Sequence, residues 1–171
     1  MENIKEKIIK EAKRVEEDSL YSAKGHFVVA NFWLKVHLRI GVLAPILAAI
    51  AGISALYQFD AHNIIAGILA IIVAALTAIA TFLNPNEKSN YHRNAGNNYN
   101  SLRNKARIFY DIDSFVEKSD QELVKQLKEL TKQRDKLNQN SPQIPRRAYE
   151  KARKGIEEGE ADYKVDEKNE I

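Results

Sequence analysis

The sequence predicts an all-α membrane protein, in which a two-helix transmembrane hairpin is flanked by a long N-terminal helix and a C-terminal cytoplasmic helical bundle. Residues 40–83 contain no Lys, Arg or Glu, and Asp60 is their only acid. They hold two apolar runs, 40–57 and 64–83, which as helices reach ~27 and ~30 Å, the thickness of a bilayer's hydrocarbon core. The flanking regions carry the remaining charge. We therefore expect three parts, 1–39, 40–83 and 84–171.

Composition excludes several kinds of chemistry. The chain of 171 residues has no Cys, so disulfides and thiolate metal sites are ruled out. The histidines show no metal-ligand spacing; they are His26, His37, His62 and His92. Neither a glycine-rich phosphate loop nor a nucleophile motif occurs. We expect no catalytic activity, no cofactor and no metal.

The hairpin has one structural alternative, a buried pair of helices in a soluble bundle. Both runs are apolar on every face, whereas a soluble helix of this length normally carries a polar stripe. Basic residues such as Arg39 and Lys88 flank the hairpin on its outer sides, and its connection, 58–63, has none. The positive-inside rule then predicts a multi-pass plasma-membrane protein with both termini in the cytoplasm.

Within the first part, residues 3–36 are predicted to form one amphipathic helix before the first span. Its apolar seam follows the helical period; the members are Ile4, Ile8, Ala12, Val15, Ser19 and Ser22. Gly25 is expected to interrupt this helix. Pro45 is expected to kink the first span, because it removes a backbone donor.

Small residues recur along both spans. They are Gly41, Ala44, Ala48, Gly52 and Ala55 in the first, and Ala66, Ala70, Ala74 and Ala78 in the second. Close packing over small residues is the usual means of association in lipid, so these stripes pack the spans together, pack subunits together, or both.

A mild polar line, Thr77, Thr81 and Asn84, leaves the second span on one helical face. The candidate pore-lining residues are Gly67, Ala70, Ala74, Thr77, Thr81 and Asn84. The alternative is that the Thr hydroxyls bond back to carbonyls of their own helix.

The segment after Pro85 is basic and contains interleaved tyrosines. Arginine and lysine hold phosphates and tyrosine stacks on bases. The candidate ligand-binding residues are Arg93, Tyr99, Arg103, Lys105 and Arg107. The competing interpretation is that these basic residues only contact lipid headgroups.

Two further helices follow. Ser119 to Glu122 has the pattern of a capping box, which begins a helix. Pro145 opens the last helix, Gly155 and Gly159 are expected to loosen its end, and residues 164–171 are expected to fray.

Four stretches resemble the SLATT family: HFVVANFWLKVHLRIG, AAIAG, TFLNP and EKSNYHRNAGNNYNSLRNKAR. The resemblance implies a two-transmembrane effector associated with nucleotidyltransferases and nucleotide-sensing domains in bacterial conflict systems. It also implies a membrane pore that disables an infected cell when a nucleotide signal changes. No fused sensor domain is recognisable, so we expect either the cytoplasmic helices or a separate partner to sense the signal.

Because two spans cannot enclose a pore, we expect a homo-oligomer, with a tetramer favoured. The second span would line the pore and the first would face lipid. A nucleotide or oligonucleotide from a partner nucleotidyltransferase would bind the basic helix, and opening would depolarise the membrane. Two alternatives stay open: a non-conducting membrane-anchored adaptor, and a phage-type hole-forming lysis protein, which the long C-terminal part disfavours.

Overall fold

The computed structural model describes residues 3–56, 62–116 and 118–165, and it is helical without strands across them. In chain order the elements are α1 (Ile4–Leu56), α2 (His62–Leu83), α3 (Pro85–Ile108), a π-helical turn (Phe109–Asp113), α4 (Asp120–Asn140) and α5 (Arg146–Glu157). The predicted all-α fold class, with two apolar helices long enough to cross a membrane, is confirmed. Of the predicted connection, residues 58–61, which include Asp60, lie outside the described residues, whereas His62 and Asn63 begin α2.

Helix α1 joins two predicted elements into one helix of 53 residues. The expected interruption at Gly25 is wrong, because the helix runs through it. Gly25 is buried, and a Cβ atom there would lie 3.0 Å from Cδ1 of Ile144. Its role is therefore close packing. Pro45 lies inside α1, which continues on both sides of it.

The chain forms two compact units, which we describe separately. The bundle unit comprises the described residues of Met1–Val29 and Tyr91–Ile171, and the hairpin unit is Ala30–Asn90. The core of the bundle unit comes from α1, α3, the π-helical turn and α4; it consists of Ile8, Ala12, Val15, Leu102, Ala106, Phe109, Leu123 and Leu130. Ile4, at the start of the predicted seam, is exposed instead, because it lies at the end of the helix.

Within the hairpin unit, Asn84 ends α2 and begins α3. Its φ is 43°, a left-handed conformation that Asn tolerates better than other non-glycine residues. Its backbone N–H donates to the carbonyl of Ala80 at 3.0 Å, and its carbonyl accepts from the N–H of Lys88 at 3.1 Å. Its side-chain amide donates to the Glu87 carboxylate. Pro85 disfavours a right-handed helical conformation at the preceding residue, so the helix breaks here.

The C-terminal helices follow the predicted start signals. The capping box is confirmed: Ser119 Oγ accepts from the Glu122 N–H, and the Glu122 carboxylate accepts from the Ser119 N–H at 2.9 Å. Pro145 is the N-cap of α5.

Gly155 and Gly159, which were expected to loosen the end of α5, take part in a hydrogen-bonded turn where the helix ends after Glu157. The Gly159 N–H donates to Ile156 O and the Glu160 N–H donates to Gly155 O, with Gly159 at φ 85°. This is a Schellman motif, which needs a residue in the left-handed region. Of the residues expected to fray, 166–171 lie outside the described part of the chain.

Candidate functional site

Three stripes along helix α2 differ in exposure and in residue size. One stripe is half-buried and marks the side that faces α1; its members are Ala66, Leu69, Val73, Leu76, Ala80 and Leu83. A second stripe is exposed and mostly large; its members are Ile65, Ile68, Ile72, Ala75, Ile79 and Phe82. The candidate pore-lining residues form the third. Each follows a residue of the α1-facing stripe by one position, a rotation of about 100°.

This third face, which we call the small-polar face, is exposed at every position from Gly67 to Asn84. A Cβ atom at Gly67 would meet nothing within 4 Å. The hairpin of one chain therefore leaves the face without a neighbour.

Helix α1 repeats the arrangement. Its half-buried stripe is Ile40, Ala44, Leu47, Ala51 and Ser54, and each is followed by an exposed residue of the set Gly41, Pro45, Ala48, Gly52 and Ala55. Cβ atoms at Gly41 and Gly52 would also meet nothing within 4 Å. Of the small residues that the sequence marked in the first span, only Ala44 faces α2.

The small faces of both helices lie on the same side of the hairpin. The helices are antiparallel, so a step of one residue past the facing stripe turns both helices toward the same side. A groove of about 430 Å³ on that side has walls from both, including His37 and Gly41 of α1 and Thr77, Thr81 and Asn84 of α2. One face of the hairpin is thus small and partly polar, and the remaining exposed surface is rich in Ile and Leu.

The hydroxyls on this face donate within their own helix. Thr77 Oγ1 donates to Val73 O at 2.8 Å, and Thr81 Oγ1 donates to Thr77 O at 2.9 Å. In the single chain, the Thr hydroxyls therefore bond back to carbonyls of their own helix, which was the alternative to pore lining. Each oxygen keeps acceptor capacity toward the groove.

In the bundle unit, two of the five ligand-binding candidates lie together. Arg103 and Arg107 line a groove of about 370 Å³ with Glu16, Tyr110 and Tyr163. Arg103 Nε donates to Glu16 Oε1 at 2.7 Å, with both side chains largely buried. The guanidinium of Arg107 lies 4.5 Å from the centre of the Tyr163 ring. Burial raises the pKa of Tyr110, with a further increase from the Glu16 charge.

The other three candidates lie elsewhere. Tyr99 is buried, and its hydroxyl donates to Asn138 Oδ1 at 2.7 Å. Lys105 donates to Gln133 Oε1 at 3.1 Å on another side of α3. Arg93 is exposed nearer the start of that helix. The structure therefore brings together a pair of arginines, with Glu16 and Tyr163 as neighbours that sequence reasoning missed. No local sequence pattern indicates that Glu16 or Tyr163 lies beside these arginines.

A buried histidine pair was also missed. His26 and His92 are almost fully buried, their Nδ1 atoms lie 2.9 Å apart, and the Tyr99 ring stacks on His26 with centroids 5.5 Å apart. Burial lowers the pKa of His26 to about 4, with a smaller contribution from His92, and burial also lowers the pKa of His92. His26 lies in helical register with Ala12, and His92 lies in helical register with Ala95. This spacing was the signal in the sequence that both histidines would be buried. Within the described residues, no group of three or more His, Asp or Glu side chains is placed to hold a metal.

The comparisons with known proteins identify a family. The profile of the SMODS and SLOG-associating 2TM effector domain family 4 matches residues 6–168, nearly the whole chain. No curated protein and no solved structure matches it. The match covers both apolar helices and the bundle helices, and it agrees with the resemblance in the sequence. The chain therefore belongs to the SLATT family of two-transmembrane membrane effectors of conflict systems, whose name records an association with nucleotidyltransferase-type partners.

Proposed function

We propose that the protein is an oligomeric pore-forming effector of a nucleotide-signalled bacterial defence system. In this proposal the hairpins of several copies, four in the favoured assembly, pack through their small-polar faces around an axis. Opening depolarises the plasma membrane and arrests or kills the cell. Both termini lie in the cytoplasm.

The observation that carries the proposal is the small-polar face itself. Lipid offers no hydrophobic drive for helices to associate, so interfaces in membranes use small residues that allow close approach. Here the hairpin uses other residues for its own packing and leaves Gly41, Gly52 and Gly67 in open space. Because α1 shares this face, we extend the sequence-based assignment and propose that both spans contribute to the subunit interface. Thr77, Thr81 and Asn84 then supply polar atoms toward the cytoplasmic end of the pore.

For the signal, we propose the Arg103 and Arg107 groove as the anion-binding face. Glu16 already neutralises Arg103 and holds its guanidinium in place. The Arg107 guanidinium lies against the Tyr163 ring, and arginine recognises phosphate through a rigid fork of donors. A nucleotide or oligonucleotide from a partner nucleotidyltransferase fits this chemistry.

Crosslinking and current recordings test the assembly. Because the chain has no Cys, Ala74→Cys on the small-polar face can be compared with Ile71→Cys, whose residue is 70% exposed on another face. In native membranes under oxidation, Ala74→Cys is expected to give disulfide dimers and Ile71→Cys is not. Discrete currents in planar bilayers are expected from the unchanged protein. Equal crosslinking at both positions, or silence from assembled oligomers, would contradict the proposal.

A specific observation favours the adaptor as second candidate. The end of α3 and the residues after it expose apolar side chains, with Ile112 59% and Phe115 73% exposed, and such clusters mark interaction sites. An adaptor needs this patch and no conductance. Thr77→Val with Thr81→Val removes two hydroxyls at constant shape. A pore is expected to change its conductance or gating, whereas an adaptor keeps its partner recruitment and has no current to change.

A further inference from the structure

The chain just after α5 lies on the arginine groove. Residues 158–165, which we call the strap, carry three acids and one base. Ala161 O accepts from Arg103 Nη2 at 3.5 Å, and the Tyr163 ring lies 4.5 Å from the Arg107 guanidinium and 5.5 Å from that of Arg103. Glu160 pairs with Lys24 at 3.3 Å. The strap thus brings negative charge and an aromatic ring to a basic face.

Two glycines direct the strap to this place. The Schellman motif at Gly159 reverses the chain immediately after the helix. A Cβ atom at Gly155 would lie only 2.5 Å from Glu160 Oε2, so only glycine lets that carboxylate fold back over α5. The path of the strap is therefore set by the sequence.

The strap is held by weak contacts. Every residue from Glu160 to Val165 except Ala161 is exposed, and no strap residue belongs to the hydrophobic core. Its ion pairs, Glu160 with Lys24 and Glu158 with Lys154, involve carboxylates that are at least 60% exposed, and such exposed pairs contribute little to stability. By contrast, the Arg103–Glu16 pair beneath it is largely buried. The Arg103–Glu16 pair therefore does not depend on the strap, which can leave without breaking it.

We infer that the strap is an autoinhibitory pseudo-ligand, which occupies the arginine groove until an anionic ligand carrying an aromatic base displaces it. Asp162, which lines the groove, stands in for a phosphate group, and the Tyr163 ring takes the position of a base stacked on guanidinium. The inference rests on the proposed anion-binding face and adds its regulation. Displacement would couple ligand binding to release of the chain after Glu157.

The test compares three variants of the full chain in detergent, with fluorescent ATP and inorganic tripolyphosphate as probes. The release variant is Glu160→Gln with Tyr163→Ala. The matched control is Glu158→Gln with Tyr149→Ala, which removes one acid and one exposed tyrosine that do not touch the arginines. The third variant adds Arg107→Gln to the release variant. A second readout is the mobility of a nitroxide label at Lys164→Cys.

The release variant is expected to bind both probes at least about tenfold more tightly than the unchanged chain, since a site that is closed most of the time loses apparent affinity in proportion. The control should match the unchanged chain, and Arg107→Gln should abolish the gain. The nitroxide should be immobile alone and mobile with tripolyphosphate.

Two results would contradict the autoinhibitory role of the strap while leaving the proposed anion-binding face intact. One is equal affinity in the release variant and the unchanged chain, and the other is a nitroxide that is already mobile without tripolyphosphate. Failure of every variant to bind either probe would overturn both.

Discussion

The Nδ1 atoms of His26 and His92 lie 2.9 Å apart in the interior of the bundle unit. A hydrogen bond between two such atoms requires one ring to donate and the other to accept. The pair therefore holds at most one Nδ1 proton, and two imidazolium rings cannot keep this contact. Val29, where the bundle unit passes into the hairpin unit, lies three positions after His26, and His92 lies two positions after Asn90.

Stability should fall in mild acid because of this pair. The pKa of His26 is lowered from 6.5 to about 4. Above pH 6.5 both folded and unfolded chains hold it neutral. As the pH falls toward 4, only the unfolded chain takes up the proton, so the free energy of unfolding decreases by up to about 1.4 kcal/mol per pH unit. Thermal unfolding followed by circular dichroism between pH 8 and 4 measures this. In His26→Gln with His92→Gln the slope should flatten, and an unchanged slope would contradict the assignment.

The same change, Gly to Ala, should act oppositely in the two units. A Cβ atom at Gly96 would lie 2.7 Å from Cε1 of Phe27, so Gly96→Ala overpacks the bundle. Overpacking costs about 1–3 kcal/mol, more than the roughly 1 kcal/mol that alanine returns as a better helix former. Gly52→Ala meets open space, so it should leave unfolding unchanged or slightly improved while weakening oligomers in native gels. Weaker oligomers with Gly96→Ala alone would contradict the small-polar face.

The two groove arginines should differ in their effect on stability. Arg103→Ala strands a Glu16 carboxylate that is only 17% exposed, and an unpaired buried charge is costly, so we expect a loss of about 1–3 kcal/mol. Arg107→Ala removes a cation–π contact near the surface and should cost less than about 1 kcal/mol. Urea unfolding of the full chain measures both. Arg107 is therefore the better position for testing ligand binding, because its replacement should disturb the fold less. Equal losses of unfolding free energy in the two variants would contradict the Arg103–Glu16 pairing.

Asn84 should tolerate only one kind of replacement. Asn84→Gly keeps the left-handed conformation and should be close to neutral, because glycine has no Cβ penalty. Asn84→Ala keeps a Cβ at φ 43° but loses the side-chain hydrogen bonds to Glu87 that let asparagine tolerate this conformation, which should cost about 2 kcal/mol. Thermal unfolding of matched samples compares the two. Equal melting temperatures would mean that Asn84 is not conformationally required.

The sequence was most informative where periodicity decides the outcome. The apolar runs predicted helices, and the seam of the first helix predicted the buried positions Ile8, Ala12, Val15 and Ser19, although its first member, Ile4, is exposed. The continuity of α1 was missed because glycine has a poor helix propensity, and tertiary packing against Ile144 overrides it at Gly25. The strap and the Glu16 contact join residues far apart in sequence. Their partners depend on the fold, so spacing along one helix could not reveal them.

The joint between α2 and α3 also bears on how the protein ages. Asparagine in a non-helical backbone usually degrades when the following peptide nitrogen attacks its side chain, forming a cyclic imide that reopens to aspartate or to a lengthened isoaspartyl backbone. That attack needs an N–H on the next residue, and Pro85 has none. The left-handed residue at the joint, the φ 43° of Asn84, is therefore placed before the one amino acid that blocks this route. The residue that separates the two helices is in this way protected against deamidation by this route.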